Sequence, residues 1–310
     1  MKIARTESDS GVRVALVEDD RLRLLPAATD VRDVLRDPAK AEPTGETLPV
    51  GSVRLLPPVA PPSIRDFLTF EQHVEGMARL HEPPRDVHAR WYEAPTFYFS
   101  NPHSLVGAGD EVPIPPGCNV FDYELEVAAV IGRDGRDLSP DAARDHIVGY
   151  TIFNDWSARD LQFDEMQVGL GPAKGKDTAI TLGPWIVTAD ELEPYRRGDR
   201  LDLELEVLVS GERIGGDTLA NMAWGFEDLV AYASRGTWVR TGDVLGSGTC
   251  GGGCLAELWG RTGRREPLPL AVGDVVTMTV EGIGTISNRV VAGTKPVPIP
   301  RATGARAEVA

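Results

Sequence analysis

Apolar runs separated by polar turns predict β-strands from the start of the chain. Residues 12–17 are apolar except for Arg13, a polar turn follows at 18–20, and residues 22–25 are apolar except for Arg23, which predicts a β-hairpin. A short helix is expected at 31–40. Residues 56–62 read Leu-Pro-Pro-Val-Ala-Pro-Pro, a stiff connector. We therefore predict a small N-terminal β domain over 1–60 and a second domain over 61–310.

Strand patterns also dominate the second domain. Ser63, with Asp66 three residues later, resembles a capping box and predicts a helix to about residue 80. No regular alternation of strands and helices appears, so the expected fold class is α+β, mainly β. Further strands are predicted at 147–153, 182–188, 201–209 and 213–218, and helices from 139 and over 223–234. Loops are predicted at 83–120 and 165–178. Residues 244–293 are expected to form glycine-rich turns and short strands, including a strand at 254–259.

Acidic residues stand at the start and end of two of the apolar segments. Glu124 and Glu126 precede an apolar run and share one face of a strand, where they are either solvated at an edge or neutralised by a cation. Asp155 follows the strand at 147–153. Such an all-oxygen set suits Mg²⁺, Mn²⁺ or Ca²⁺. Asp66 is either a fourth ligand or an ordinary acid in the first turn of a helix.

One histidine stands out by its spacing from a candidate ligand. His73 lies seven residues after Asp66, two turns along a helix and about 10 Å away, which suits a base acting through a water molecule. Glu257 lies inside an apolar run and needs a partner. The glycine-rich loop at 246–254 is either an anion contact or a flexible turn. The other histidines are interpreted as surface or core residues: His81, His88, His103 and His146.

The composition restricts partners and location. The net charge of −15 argues against nucleic acid as a partner, and no apolar run approaches a membrane span. Three cysteines, Cys118, Cys250 and Cys254, fit a reducing cytoplasm rather than a disulfide framework. Cys250 and Cys254 have no second ligand pair nearby in sequence, so their spacing predicts no zinc site.

Together, four segments of the chain resemble the fumarylacetoacetate hydrolase family, in its fumarylacetoacetase-like branch, from about residue 66 to 286. The third of them is the most specific. They are Asp66-Phe67 with Gln72-His73, Asp122-Tyr123-Glu124-Leu125-Glu126, Asn154-Asp155-Trp156-Ser157-Ala158-Arg159-Asp160-Leu161-Gln162, and Gly248-Thr249 with Leu255-Ala256-Glu257-Leu258.

The resemblance implies a fold, an assembly and roles for individual residues. The fold would be a rolled mixed β-sandwich, usually a homodimer, and His73 with Glu257 would be the catalytic dyad. Lys174 is preferred over Lys176 because its spacing to Asp177-Thr178 matches the family. The remaining implied roles are metal ligation by Asp66, Glu124, Glu126, Asp155 and Thr178, stabilisation of the leaving carbanion by Arg159, Gln162 and Lys174, and substrate contacts by Tyr98 and Thr249.

Some positions depart from the family pattern. Leu68 and Met166 stand where substrate-facing tyrosines are expected, and Glu82 where an arginine is expected. The predicted activity is divalent-metal-dependent hydrolysis of a C–C bond in an anionic β-diketo acid. The alternatives are decarboxylation, isomerisation or hydration of a 2-oxo-enoic acid with the same metal, or a non-enzymatic metal-binding scaffold.

Overall fold

A computed structural model describes residues 1–9 and 11–303, which form two large β-sheets, three two-stranded sheets and short helices around them. The helices are α1 Val31–Arg36, α2 Glu71–Ala78, α3 Pro140–Ala143, α4 Arg159–Met166, α5 Ala189–Leu192, α6 Phe226–Ser234 and α7 Leu255–Thr262. The strands are β1 Lys2–Ser8, β2 Gly11–Glu18, β3 Arg21–Leu24, β4 Thr47–Pro49, β5 Arg54–Leu56, β6 Ile64–Phe67, β7 Phe97–Ser100, β8 Leu105–Val106, β9 Val112–Pro113, β10 Phe121–Asp122, β11 Leu125–Ile131, β12 Gly135–Arg136, β13 Ile147–Asp155, β14 Ser157–Ala158, β15 Ile180–Thr188, β16 Arg196–Arg197, β17 Arg200–Leu201, β18 Glu204–Val209, β19 Glu212–Thr218, β20 Trp238–Val239, β21 Val244–Gly246, β22 Val275–Val280 and β23 Gly284–Val291.

The larger sheet is mixed and carries the candidate site. Its main path runs β4-β3-β2-β1-β15-β13-β11-β21-β6-β7, with β5 and β8 at its sides. Most neighbours are antiparallel, but β21 pairs with β6 in parallel, so that Gly246 lies opposite Asp66. The smaller sheet has the order β19-β18-β22-β23-β9. The predicted α+β, mainly β, class is confirmed.

The core explains why the central strands are apolar on both faces. Every residue of β11 is buried, with one large apolar cluster on one face and a second cluster on the other. Val127, Ala129 and Ile131 belong to the first cluster, whereas Ala128 and Val130 belong to the second. Burial on both faces gives a continuous apolar run rather than alternation. The acids that precede this run are therefore held at the end of a rigid strand.

The N-terminal segment extends the larger sheet. The predicted hairpin is present as β2 and β3, and β1 pairs with β15 from the rest of the chain. The domain boundary near residue 60 stays a prediction. In the part of the chain that the structure describes, no helix has the length and apolar character needed to cross a membrane.

The helix predicted over 63–80 was wrong in its first half. Ile64–Phe67 is a strand, β6, and the helix begins only at Glu71. The capping-box pattern of Ser63 and Asp66 is local, whereas β6 is held by pairing with β7 and β21. Tertiary pairing thus overrode the local signal. Asp66 consequently does not share a helix with His73.

The strand predicted at 254–259 was also wrong, because Cys254 caps helix α7 and the following residues form its first turns. The Cys254 sulfur accepts a hydrogen bond from the Glu257 amide, and Gly263 ends the helix in the left-handed conformation with φ 66°. A short apolar run does not distinguish a strand from a buried helix. The glycine just past the helix end was the available signal.

Candidate metal centre and catalytic dyad

Three carboxylates from distant parts of the chain meet at one end of the larger sheet. Asp66, Glu124 and Glu126 are buried, and their nearest oxygens lie within 4.8 Å of one another. The close packing depends on Gly246, because a Cβ there would lie 2.6 Å from Asp66 Oδ1 and 3.0 Å from Glu126 Oε2. The backbone N–H of Gly248 donates to Glu126 Oε2 at 2.9 Å. The sheet therefore builds a compact group of oxygen donors.

Asp155 joins this group through two shared partners. Lys176 Nζ lies 2.6 Å from Glu124 Oε2 and 2.9 Å from Asp155 Oδ2. The Tyr98 hydroxyl bonds Asp66 Oδ2 at 2.7 Å and also bonds Asp155 Oδ2. Since this hydroxyl carries one proton, it can donate to only one carboxylate at a time. Tyr98 therefore faces the carboxylates directly.

The negative charges of the four carboxylates are only partly balanced by the cations next to them. Burial and the charge of Asp155 raise the pKa of Asp66 to about 8, and burial with Asp66 and Glu124 raises the pKa of Glu126 well above its usual value. Burial also raises the pKa of Asp155. Burial acts in the same direction on Glu124, but Lys176 and Arg159 outweigh it and hold the pKa of that carboxyl below its usual range. The raised values mean that these acids lack sufficient positive charge nearby.

The donors present fit a hard divalent cation. Buried oxygens without a hydrogen-bond partner in the described residues include Asp66 Oδ1, Glu126 Oε1 and Asp155 Oδ1. Thr178 Oγ1, two residues beyond Lys176, is a further buried and unpaired oxygen. Buried polar atoms normally have partners, and oxygen donors of this kind suit Mg²⁺, Mn²⁺ or Ca²⁺. The chain therefore carries a possible metal site.

A histidine–glutamate pair lies beside the carboxylates. His73 Nδ1 is 3.4 Å from Glu257 Oε2, although the two residues are 184 positions apart. Helices α2 and α7 approach closely at glycines: a Cβ on Gly76 would lie 2.4 Å from Glu257 Cγ, and one on Gly260 would lie 1.9 Å from the Gly76 carbonyl oxygen. A glycine-rich crossing thus brings the pair together.

Glu257 is fixed on its other side, and His73 faces the metal ligands. The Gly252 amide donates to both Glu257 oxygens at 2.8 Å, and Arg261 adds a contact at 3.3 Å. A ring nitrogen of His73 lies within 4.8 Å of a Glu124 oxygen. This arrangement can orient an imidazole toward a water molecule next to a bound ion.

Of the predicted polar residues of α4, Arg159 reaches the carboxylates and Gln162 contacts Arg159. Arg159 is fully buried and contacts Asp122 through Nε at 2.9 Å and Glu124 through Nη1 at 2.7 Å. The same Nη1 donates to Gln162 Oε1 at 3.2 Å, and Nη2 has no partner in the described part of the chain. Asp122, which was not predicted as a site residue, anchors Arg159 and also accepts from the amides of Leu255 and Ala256.

Lys174, for which stabilisation of the leaving carbanion was predicted, does not reach the carboxylates, whereas Lys176 does. The Lys174 side chain is 64% exposed and pairs with Asp177, whereas that of Lys176 is 4% exposed and pairs with Glu124 and Asp155. A one-turn 3₁₀ helix at Lys174–Lys176 turns the two side chains to different sides, which the family spacing did not anticipate. The remaining prediction, Thr249, is buried in the loop beside Gly248.

Divalent metal should stabilise the protein against unfolding. At a hundred times its dissociation constant, Mg²⁺ or Mn²⁺ should add about 2.7 kcal/mol to the free energy of unfolding, measured as a rise in melting temperature over protein in EDTA. Glu126→Gln should lose most of this rise, because it replaces a ligand oxygen. The exposed Glu111 provides the matched control, and Glu111→Gln should keep the rise. An equal rise in both variants would place the ion elsewhere.

The raised pKa values predict how this stabilisation changes with pH. Acids whose pKa is higher in the folded protein stabilise it below their unfolded pKa, and this contribution is lost as the pH rises through the folded pKa. The pKa of Asp66 is raised to about 8. Because a cation competes with these protons, the metal-induced rise in melting temperature should be larger near about pH 9 than near about pH 6. A pH-independent rise would contradict this.

Comparisons with known proteins cover both the N-terminal segment and the rest of the chain. Residues 63–291 match the family described as "Fumarylacetoacetate (FAA) hydrolase C-terminal", and residues 1–58 match "Rv2993c-like, N-terminal". Protein Rv2993c of Mycobacterium tuberculosis is 32% identical over 298 residues, which is 96% of this chain and 100% of that protein. Oxaloacetate tautomerase fahd2, mitochondrial, of Xenopus laevis is 35% identical over 188 residues, 61% of this chain and 55% of that protein.

A solved structure is similar over nearly the whole chain. It is the fumarylacetoacetate hydrolase of psychrophilic Exiguobacterium antarcticum, which is 28% identical, with a TM-score of 0.74 and coverage of 94% of this chain and 100% of that one. The similar fold and the family match thus agree with the resemblance to this family that the four sequence segments indicated. This chain belongs to the fumarylacetoacetate hydrolase family.

Proposed function

We propose that the protein hydrolyses a C–C bond in an anionic β-diketo acid, such as an acylpyruvate or a fumarylacetoacetate-like compound. The observation that carries the proposal is the His73–Glu257 pair beside the carboxylates, with Nδ1 3.4 Å from Oε2. An oriented base next to a cation site is an arrangement for activating water. A metal-binding scaffold without catalysis gives no reason for this pairing.

His73 is assigned the role of general base. Its Nδ1–H would donate to Glu257, leaving Nε2 to accept a proton from water. The oxygen of that water adds to the acyl carbonyl carbon, the C–C bond breaks, and its electron pair leaves as an enolate. Protonation of the enolate carbon then gives two acids from one β-diketo acid and one water.

A dication held by Asp66, Glu124, Glu126 and Asp155, with Thr178 nearby, would stabilise the negative charge that develops on the substrate oxygens. Arg159, Gln162 and Lys176 would hold the departing enolate, so Lys176 takes the part first given to Lys174. Mg²⁺ is the expected ion, and Mn²⁺ and Ca²⁺ are alternatives. The identity of the metal, the homodimer and the cytoplasmic location stay predictions.

A cavity beside Arg159 supports an anionic substrate. It has a volume of about 450 Å³, in the range of small-molecule sites. Its lining includes the arginines Arg79, Arg159, Arg264 and Arg265, against the acids Glu82 and Asp160. In a chain with a net charge of −15, this is a local excess of positive charge. Thr249 and Tyr98, which do not line this cavity, remain proposed substrate contacts.

The competing function is isomerisation or tautomerisation of a keto acid on the same site, alongside decarboxylation or hydration. The oxaloacetate tautomerase of Xenopus laevis, 35% identical over the matched region, favours this alternative. Enolate stabilisation serves all of these reactions, whereas hydrolysis is the one in which water adds to a carbonyl carbon and a C–C bond between two carbonyl-bearing fragments breaks.

Product analysis distinguishes the two functions. The protein with Mg²⁺ or Mn²⁺, and with EDTA as control, is given acylpyruvates, fumarylpyruvate, fumarylacetoacetate and oxaloacetate in water enriched in ¹⁸O. Hydrolysis should give two acids, with ¹⁸O in the new carboxylate, and should stop in EDTA. A single isomer with no C–C cleavage would refute hydrolysis, and release of CO₂ would indicate a decarboxylase.

A further inference from the structure

One buried thiol next to the dyad has no part in the proposed reaction. Cys254 is fully buried, and its sulfur lies 3.7 Å from His73 Nδ1, although the residues are 181 positions apart. The same sulfur accepts a hydrogen bond from the backbone N–H of Glu257 at 3.4 Å and so caps helix α7. It therefore contacts both residues that the proposed mechanism uses to activate water.

The thiol belongs to a set of three potential metal ligands. The Cys254 sulfur, a His73 ring nitrogen and a Glu124 oxygen all lie within 4.8 Å of one another, and all three residues are buried. Glu124 already contacts Arg159 and Lys176, but a carboxylate has about four lone-pair directions and can bind a further cation. The set differs from the neighbouring carboxylates because it offers sulfur and nitrogen.

Acidic groups lie close to the thiol. A Glu124 oxygen is within 4.8 Å of the sulfur, Glu257 donates its amide to it, and Asp122 accepts from the two amides that follow Cys254. Arg159, which pairs with Asp122 and Glu124, is the opposing charge. Sulfur and imidazole nitrogen are ligands that Zn²⁺ takes at about 2.0–2.3 Å, whereas Mg²⁺ requires oxygen. The three donors would have to move slightly closer to reach these distances. Glu124 belongs to both sets, so the two ions would share its carboxylate, whereas a thiophilic ion would leave Asp66 and Glu126 to the all-oxygen set.

We propose that Cys254, His73 and Glu124 form a second cation site that takes Zn²⁺ or a similar thiophilic ion and inhibits the enzyme. Binding forms a metal–sulfur bond and releases the thiol proton to solvent. The ion then holds a His73 nitrogen that water activation needs. The inhibition rests on the proposed function, whereas the binding site does not.

Cadmium binding tests the site without measuring activity. Wild-type protein saturated with Mg²⁺ should take up one equivalent of Cd²⁺ and develop the ultraviolet cadmium–thiolate absorption band. Cys254→Ser should lose the band and weaken Zn²⁺ binding by at least about 10–100-fold, the loss that outer-shell changes alone bring. Cys250→Ser is the matched control, since Cys250 is an equally buried thiol outside the set, and it should keep the band.

Measurements on the unaltered protein keep the test decisive if Cys254→Ser does not fold. X-ray absorption at the zinc edge should show one sulfur neighbour together with nitrogen or oxygen. A zinc shell without sulfur, no band in the wild type, or a band that Cys250→Ser abolishes would each overturn the site. Stoichiometric binding with unchanged turnover would leave the site standing and contradict only its inhibition, and hence the role of His73 in the proposed function.

Discussion

Replacing His73 by alanine should lower turnover by roughly 10²–10⁴-fold at saturating Mg²⁺, the usual contribution of a positioned base. The expected loss follows from the 3.4 Å contact between His73 Nδ1 and Glu257, which orients the ring beside the metal ligands. The rise in melting temperature on adding metal should persist, because the carboxylates are untouched. Steady-state kinetics and melting curves on the same preparation separate the two properties.

Two further variants make the His73→Ala result specific. His103 is exposed and lies in a different part of the chain, so His103→Ala should leave turnover unchanged. Glu257→Gln keeps the size of the dyad partner but removes its charge, and should lower turnover in the same direction. Wild-type turnover in His73→Ala would refute the assigned base, and loss of the metal-induced rise would show that His73 ligates the ion instead.

Part of the larger sheet could be predicted because its apolar runs need no tertiary information. The segments at 147–153 and 182–188 became β13 and β15 with small changes at their ends. The two wrong assignments, at 63–67 and 254–259, are short segments. Their conformations are set by partners far away in sequence, namely β21 for the first and α2 for the second. Local patterns carry no such information.

In the candidate site, too, local sequence patterns identified some residues, whereas contacts between distant segments determine the others. Glu124 and Glu126 could be singled out because two acids beside a buried run require a charge partner. The meeting of Asp66 with them depends on the parallel pairing of β6 and β21, and no periodicity in the chain encodes that pairing. Asp122 and Cys254 were missed as site residues because their roles are contacts with Arg159 and His73, which only the folded chain brings near.

Lys176→Met should lower turnover by about 10²–10³-fold, the loss typical of removing one preorganised charge-stabilising group. Lys176 is buried between Glu124 and Asp155, and these carboxylates overcome the effect of burial and raise its pKa, so it stays charged. The metal should bind at least as tightly in this variant, because Lys176 competes with it for the same two oxygens. Isothermal titration with Mn²⁺, alongside kinetics, measures both quantities.

Lys174→Met is the matched control, since it removes the same charge two residues away. Lys174 is mostly exposed and pairs with Asp177, and surface pairs contribute about 0–1 kcal/mol. Turnover should therefore change by no more than about fivefold, the equivalent of that energy. If Lys174→Met proved the damaging change and Lys176→Met the mild one, the family spacing would have identified the right lysine. The 3₁₀ turn would then have to rotate when substrate binds, carrying Lys174 inward and releasing Glu124 and Asp155 from Lys176.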